Sequence, residues 1–183
     1  MVAFGAQPPM NPSDASYLAW NYDPVLIGGE SSPSNGVLYL LRVNLRQAAL
    51  VTSVALGSSA GGTDLVAGEN FAGLYSSAGV LLGQSADQSS AWATSGLYTA
   101  ALTDGPVAVP QGFAWVGILA NESGGTTPGF WRCANATSPG QNAGLTAATA
   151  RAATNGSGLA ALPASITPSS SSFTGAAFWV ALS

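Results

Sequence analysis

The sequence contains no lysine and no histidine, and its 183 residues include a single cysteine. Each absence removes chemistry. Without histidine, neither a Ser-His-Asp triad nor a Cys-His pair can be built. Without lysine there is no Schiff base, no lysine-activated serine and no phosphate loop ending in lysine. Cys133 on its own permits no internal disulfide and no multi-cysteine metal site, so it reads as a small buried hydrophobe. Charge is scarce too: four arginines face eight carboxylates, a net charge of −4. Polyanion binding needs clustered cations. Arg42, Arg46, Arg132 and Arg151 are mostly scattered along the chain, so neither nucleic acid nor an anionic membrane is an expected partner. No apolar run approaches the roughly 18 residues that span a bilayer. The first 20 residues have no Lys or Arg and contain Pro8, Pro9 and Pro12, which does not fit a signal peptide.

What remains is apolar and small. Hydrophobic residues make up 47% of the chain, with six Phe, five Trp and five Tyr. Disordered chains combine low hydrophobicity with high net charge, and this chain does the opposite. Its length is enough for one domain to bury a core without disulfides or metal. Sparse charge leaves solubility to Ser, Thr, Asn, Gln and exposed backbone, a composition suited to a chain packed against neighbours.

Periodicity predicts strands. Residues 36–46 alternate, with Val37, Tyr39, Leu41, Val43 and Leu45 on one face and Arg42, Asn44 and Arg46 on the other. A second apolar run, 48–56, precedes a glycine-rich turn at 57–62. Strands are expected at 71–75, 80–84, 97–102 and 107–109, with a tight turn at Ser76–Gly79. Residues 112–120 read as a central strand buried on both faces, and 173–182 as a last strand. Residues 1–35, rich in Pro, Ser, Asn and Gly, read as an extended arm anchored by Tyr17, Trp20 and Tyr22. Residues 134–172 carry few large apolar side chains and read as long loops needing a neighbour to order them. Short strands, Gly/Pro turns and no amphipathic helix define an all-β class: a two-layer antiparallel β-sandwich, jelly-roll or Ig-like, over 36–183, with an extended N-terminal arm over 1–35. Tyr39, Leu41, Val43, Leu74, Trp115, Ile118 and Phe178 are its expected core.

Little catalytic chemistry is left. Paired carboxylates for a glycosidase-like site would come from Asp64, Glu69, Asp87, Asp104 or Glu122, and calcium would use Asp64, Glu69 or Asp87. Most of these sit beside Gly, Ser or Asn, where turn formation is the simpler reading, and no EF-hand spacing occurs. No catalytic residue, metal or cofactor is therefore expected. Trp115 and Trp179 lie in predicted strands and read as core. Trp92 and Trp131 lie in predicted loops and, with Tyr17, Trp20 and Tyr22, are the candidate partner contacts. The glycosylation triplets at Asn121, Asn135 and Asn155 are expected by chance in so Asn/Ser/Thr-rich a chain.

Two stretches carry a resemblance. Asn70-Phe-Ala-Gly-Leu-Tyr-Ser-Ser-Ala-Gly-Val-Leu-Leu-Gly-Gln-Ser-Ala-Asp87-Gln88, followed by Trp92, joins a Gly-Leu-Tyr hairpin to an Ala-Asp-Gln loop. Pro110-Gln-Gly-Phe-Ala-Trp-Val-Gly-Ile-Leu-Ala120 leads a Pro-x-Gly-aromatic turn into a Trp-bearing strand. Together they resemble a module of minor tail and fibre-like virion proteins of bacteriophages infecting actinobacteria. The resemblance covers about 50–120 and the flanks loosely. It implies a β-sandwich on the virion surface, assembled in the host cytoplasm and without enzymatic activity. Its partners would be further copies of the chain, with a trimer expected, and phage capsid or tail proteins. The sequence has neither heptads nor Gly-x-y repeats, which fits capsid decoration or a small tail-surface subunit better than a complete fibre. The competing reading is a carbohydrate-binding module contacting host cell-wall glycan.

Overall fold

The structure is a computed structural model and describes residues 10–133 and 138–183. Two six-stranded antiparallel sheets face each other. The first runs in the order β1 (Ala19–Trp20), β16 (Val180–Leu182), β5 (Ser53–Ala60), β13 (Gly129–Cys133) and β2 (Ile27–Ser31), with β9 (Gly96–Ala101) pairing the other edge of β5. The second runs β15 (Ser172–Phe173), β14 (Ala152–Thr154), β3 (Tyr39–Leu45), β11 (Gly112–Leu119), β7 (Phe71–Tyr75) and β8 (Leu81–Gln84). Two small ribbons complete the set: β10 (Val107–Val109) with β4 (Ala49–Val51), and β12 (Glu122–Thr126) with β6 (Thr63–Leu65). The protein is an all-β, sandwich-like fold.

Alternation builds the central layer as the sequence implies. Tyr39, Leu41, Val43 and Leu45 point inward from β3 and meet Val54 and Leu56 of β5, Val116 and Ile118 of β11, and Phe178, Val180 and Leu182. The register sets Val116 between Leu41 and Leu74 on adjacent strands. All seven expected core residues are buried. The Ser76–Gly79 turn closes with the Gly79 amide donating to the Ser76 carbonyl at 2.9 Å.

The second sheet is buried on its outer face as well. Leu38 and Leu40 alternate with the inward set and join Tyr75, Trp115 and Leu119 there. What covers them is residues 155–168, part of the stretch expected to need a neighbour. This strap crosses the sheet and inserts Leu159, Leu162 and Ile166. The Ile166 amide donates to Gly79 O at 2.8 Å, and the Leu81 amide to Ala164 O at 2.9 Å. Gly73 and Gly117 oppose each other on this face. A Cβ at Gly117 would come within 2.7 Å of the Tyr75 ring, and one at Gly73 would collide with Leu162. The glycine pair is the trough in which the strap lies. The neighbour that orders this segment is the chain's own sheet.

Three boundaries need correction. Residues 19–31 are not part of a free arm: β1 pairs β16 and β2 pairs β13, so the sandwich extends well N-terminal of residue 36. Residues 1–9 of the expected arm and 134–137 of the expected loop, with the Asn135 triplet, lie outside the described residues. The expected strand 173–182 is two strands, one in each sheet, because the chain crosses between layers at 174–179. The run 48–56 likewise divides at Thr52, whose amide donates to the C-terminal Ser183 O.

Candidate contact surface

The clearest surface feature is an aromatic cluster on the outer face of the first sheet. Tyr17, Trp20, Tyr22, Ile27 and Trp131 pack, partly exposed, over the buried floor of Ala55, Trp179 and Ala181. Tyr17 meets Trp179 edge-on at 5.8 Å between ring centroids, and Trp131 lies 6.4 Å from Trp179 at 48°. The strands place these rings. Trp131 projects outward from β13 because Phe130 beside it fills the core, and Trp20 projects outward from β1 because Ala19 points in. Gly57 on β5 makes room for the Trp131 indole, which a Cβ there would penetrate.

Tyr22 is tied down at its tip. Its hydroxyl donates to Ala177 O at 3.0 Å, and burial pushes its ionisation well above the ordinary tyrosine range. Val25 and Leu26, 77% and 52% exposed, follow it in the chain. The cluster is therefore fixed in place yet still presents apolar surface.

Four of the five expected contact residues, Tyr17, Trp20, Tyr22 and Trp131, thus gather in one place. The fifth does not. Trp92 ends a short helix (Ser89–Trp92) that turns inward, is wholly buried and stands edge-on to Phe130 at 5.1 Å. It is a core residue with no exposed contact face. Trp131 lies in a strand rather than a loop. Sequence reading also missed Gly57, assigned to a turn because small residues continue to Gly62. A glycine bordering an apolar strand marks close approach of another group, and that was the available signal.

The candidate acidic residues do not converge. Among the described residues no three metal-ligating side chains form a group. Asp87 organises its own loop: Oδ1 accepts from the Asn70 amide at 3.1 Å, and Oδ2 from the Ser89 hydroxyl. Partial burial pushes its ionisation up, but the Ser89 hydroxyl and the amides of Gly68, Asn70 and Ser89 outweigh this and hold the carboxyl below its ordinary value. A carboxyl ionised this readily is poorly matched to general-acid work near neutral pH. Asn121 is buried and donates to Glu69 O and Leu159 O at 3.0 and 2.9 Å, which leaves its amide no room for a glycan.

Compared with known proteins, the chain matches no family model and no curated sequence. What the fold and surface define is a class: a β-sandwich-like protein presenting a fixed aromatic face.

Proposed function

We propose that the chain is a non-enzymatic bacteriophage virion protein displayed on the particle surface, in capsid decoration or as a small tail-surface subunit, acting by protein–protein contact. The observation that carries the contact reading is the outward aromatic face of Tyr17, Trp20, Tyr22 and Trp131. Aromatic side chains bury large areas at little entropic cost and dominate protein contacts. The virion setting rests on the sequence resemblance. Copies of the chain joined as a homo-oligomer would multiply weak single contacts through avidity. The test is particle incorporation of a Trp20→Ser/Trp131→Ser variant whose fold is verified by circular dichroism. The expected result is at least about tenfold lower occupancy, the loss of one or two good anchors. Full occupancy would overturn the reading.

A second reading, host-glycan binding, has one observation in its favour. Glu30 pairs with Trp131 across the strands, and its carboxyl lies 3.0 Å from where a Gly129 Cβ would stand. A carboxylate beside an aromatic plane suits a sugar ring, through hydroxyl hydrogen bonds and CH–π stacking. Glycan-array binding abolished by Glu30→Gln and by Trp131→Ser would favour it.

A further inference from the structure

We infer that the cleft between Arg42 and Arg151 is a binding site for a small oxyanion, a carboxylate or a phosphate group, carried on a partly apolar molecule. In sequence the two arginines are 109 positions apart (151 − 42). In the fold they sit side by side. β14 pairs β3 with Ala152 opposite Leu41, and one step further along that register Arg151 stands opposite Arg42, whose amide donates to Arg151 O at 2.9 Å. Beyond this point β14 ends and the edge of β3 opens into a cleft of about 580 Å³.

The charge there is unbalanced. Like charges directly opposed across strands are destabilising, and an acidic chain has carboxylates in excess with which to relieve them. None of its eight lines this cleft. The nearest in sequence to a lining residue is Asp23, next to Tyr22, and its two oxygens already accept the amides of Val25 and Met10 at 2.9 Å.

Arg42 is also held in position. Its guanidinium stacks 4.4 Å above the Phe113 ring. Nε donates to Asn44 Oδ1 at 3.2 Å and Nη1 to Thr149 O at 2.9 Å. Nη2 keeps its two N–H groups, and Arg151 is exposed at the rim. A planar guanidinium fixed on an aromatic ring with donors to spare is suited to paired hydrogen bonds with carboxylate or phosphate. The apolar walls, Tyr22, Leu26 and Leu145, would contact the body of the ligand. The volume is within the ~300–1,000 Å³ usual for small-molecule sites. This site is separate from polyanion binding, which two arginines do not support; it shares Tyr22 with the edge of the aromatic face, but its anion-holding arginines lie outside that face.

With four arginines in the chain, the side-chain Nε–H signals form a sparse nuclear magnetic resonance spectrum. The protein is titrated at constant ionic strength with inorganic phosphate in one arm and succinate in the other. Saturable shifts of the Arg42 Nε–H and the Cys133 amide, a residue lining the same cleft, are expected in at least one arm. Saturation by phosphate alone assigns a phosphate-bearing ligand, and by succinate alone a carboxylate. Arg151→Gln, at an exposed position, should keep the fold and weaken the response about tenfold or more. Arg42→Gln should do the same provided its β3 amide shifts stay native. Shifts that stay linear in both arms, or that saturate unchanged in Arg151→Gln, overturn the assignment.

Discussion

At the scale of single residues, the contrast between Trp92 and Trp131 shows how one residue type serves opposite ends. Trp92 follows Ser89, Ser90 and Ala91, whereas Trp131 directly follows Phe130, which takes the core side of the strand and leaves Trp131 the outer one. Distant partners complete the difference: Phe130 receives Trp92, and Gly57 receives Trp131. Trp92→Ala should therefore cost about 3–5 kcal/mol, the range for emptying a buried aromatic site. The Trp92 Nε1 has no hydrogen-bond acceptor, so Trp92→Phe, which keeps most of the volume and forfeits no bond, should cost markedly less. Trp131→Ser should cost least of the three. Chemical denaturation measures all three, and equal losses at 92 and 131 would contradict their placement. Asp87 gives a pH prediction. Its folded carboxyl ionises more readily than in the unfolded chain, so its contribution is complete above about pH 5 and is lost as pH falls through about 4 and below. The melting temperature of Asp87→Asn should fall less steeply over that window than that of the parent. Parallel curves would show that the loop does not depend on the carboxylate.

At the scale of elements, period-two patterning was sufficient wherever a strand has one face in the core. It located β3, which begins at Tyr39 rather than at residue 36, while a continuous apolar run located β11; β7, β9, β10 and β11 all fall within about one residue of their expected bounds. It failed where a segment borrows its burial. β1 is too short to show a period and β2 is mostly Gly, Glu and Ser, and they become strands because β16 and β13 offer free edges. The strap over the second sheet has three large apolar residues among many small ones, too few to signal an element, yet a glycine trough makes them sufficient. Among the candidate contacts, the identity of four aromatics was legible and their convergence was not, since convergence depends on strand order. The strap's dependence on few side chains can be measured. Leu162→Ala with Ile166→Ala removes two of its three large anchors. Amide hydrogen exchange at Ile166 and Leu81 should then speed up at least about tenfold through local opening, while β3 and β11 keep their protection. Uniform acceleration across the sandwich would mean that the strap and the core unfold as one unit.

At the scale of the whole molecule, the question is whether the fold needs its neighbours. Two expectations pointed to a neighbour: an extended arm with aromatic anchors, and a loop-rich region with too few large apolar side chains to order itself. In the structure Tyr17, Trp20 and Tyr22 rest on the chain's own sheet, and Leu159, Leu162 and Ile166 rest on the other. Both layers thus find their covering within one chain. What remains for a partner is the outward side of the aromatic cluster and the exposed Val25 and Leu26 beside it, an area offered after folding rather than one required for it. Folding and association should then separate. The melting temperature should be unchanged over a roughly hundredfold range of protein concentration, whereas an obligate oligomer would gain stability with concentration by mass action. Sedimentation over the same range should show association that weakens in Trp20→Ser/Trp131→Ser while the melting temperature of the dilute protein moves little. A melting temperature that climbs with concentration in the parent, and no longer does so in the variant, would mean that the aromatic face completes the fold in a second copy and that the single chain is not the folding unit.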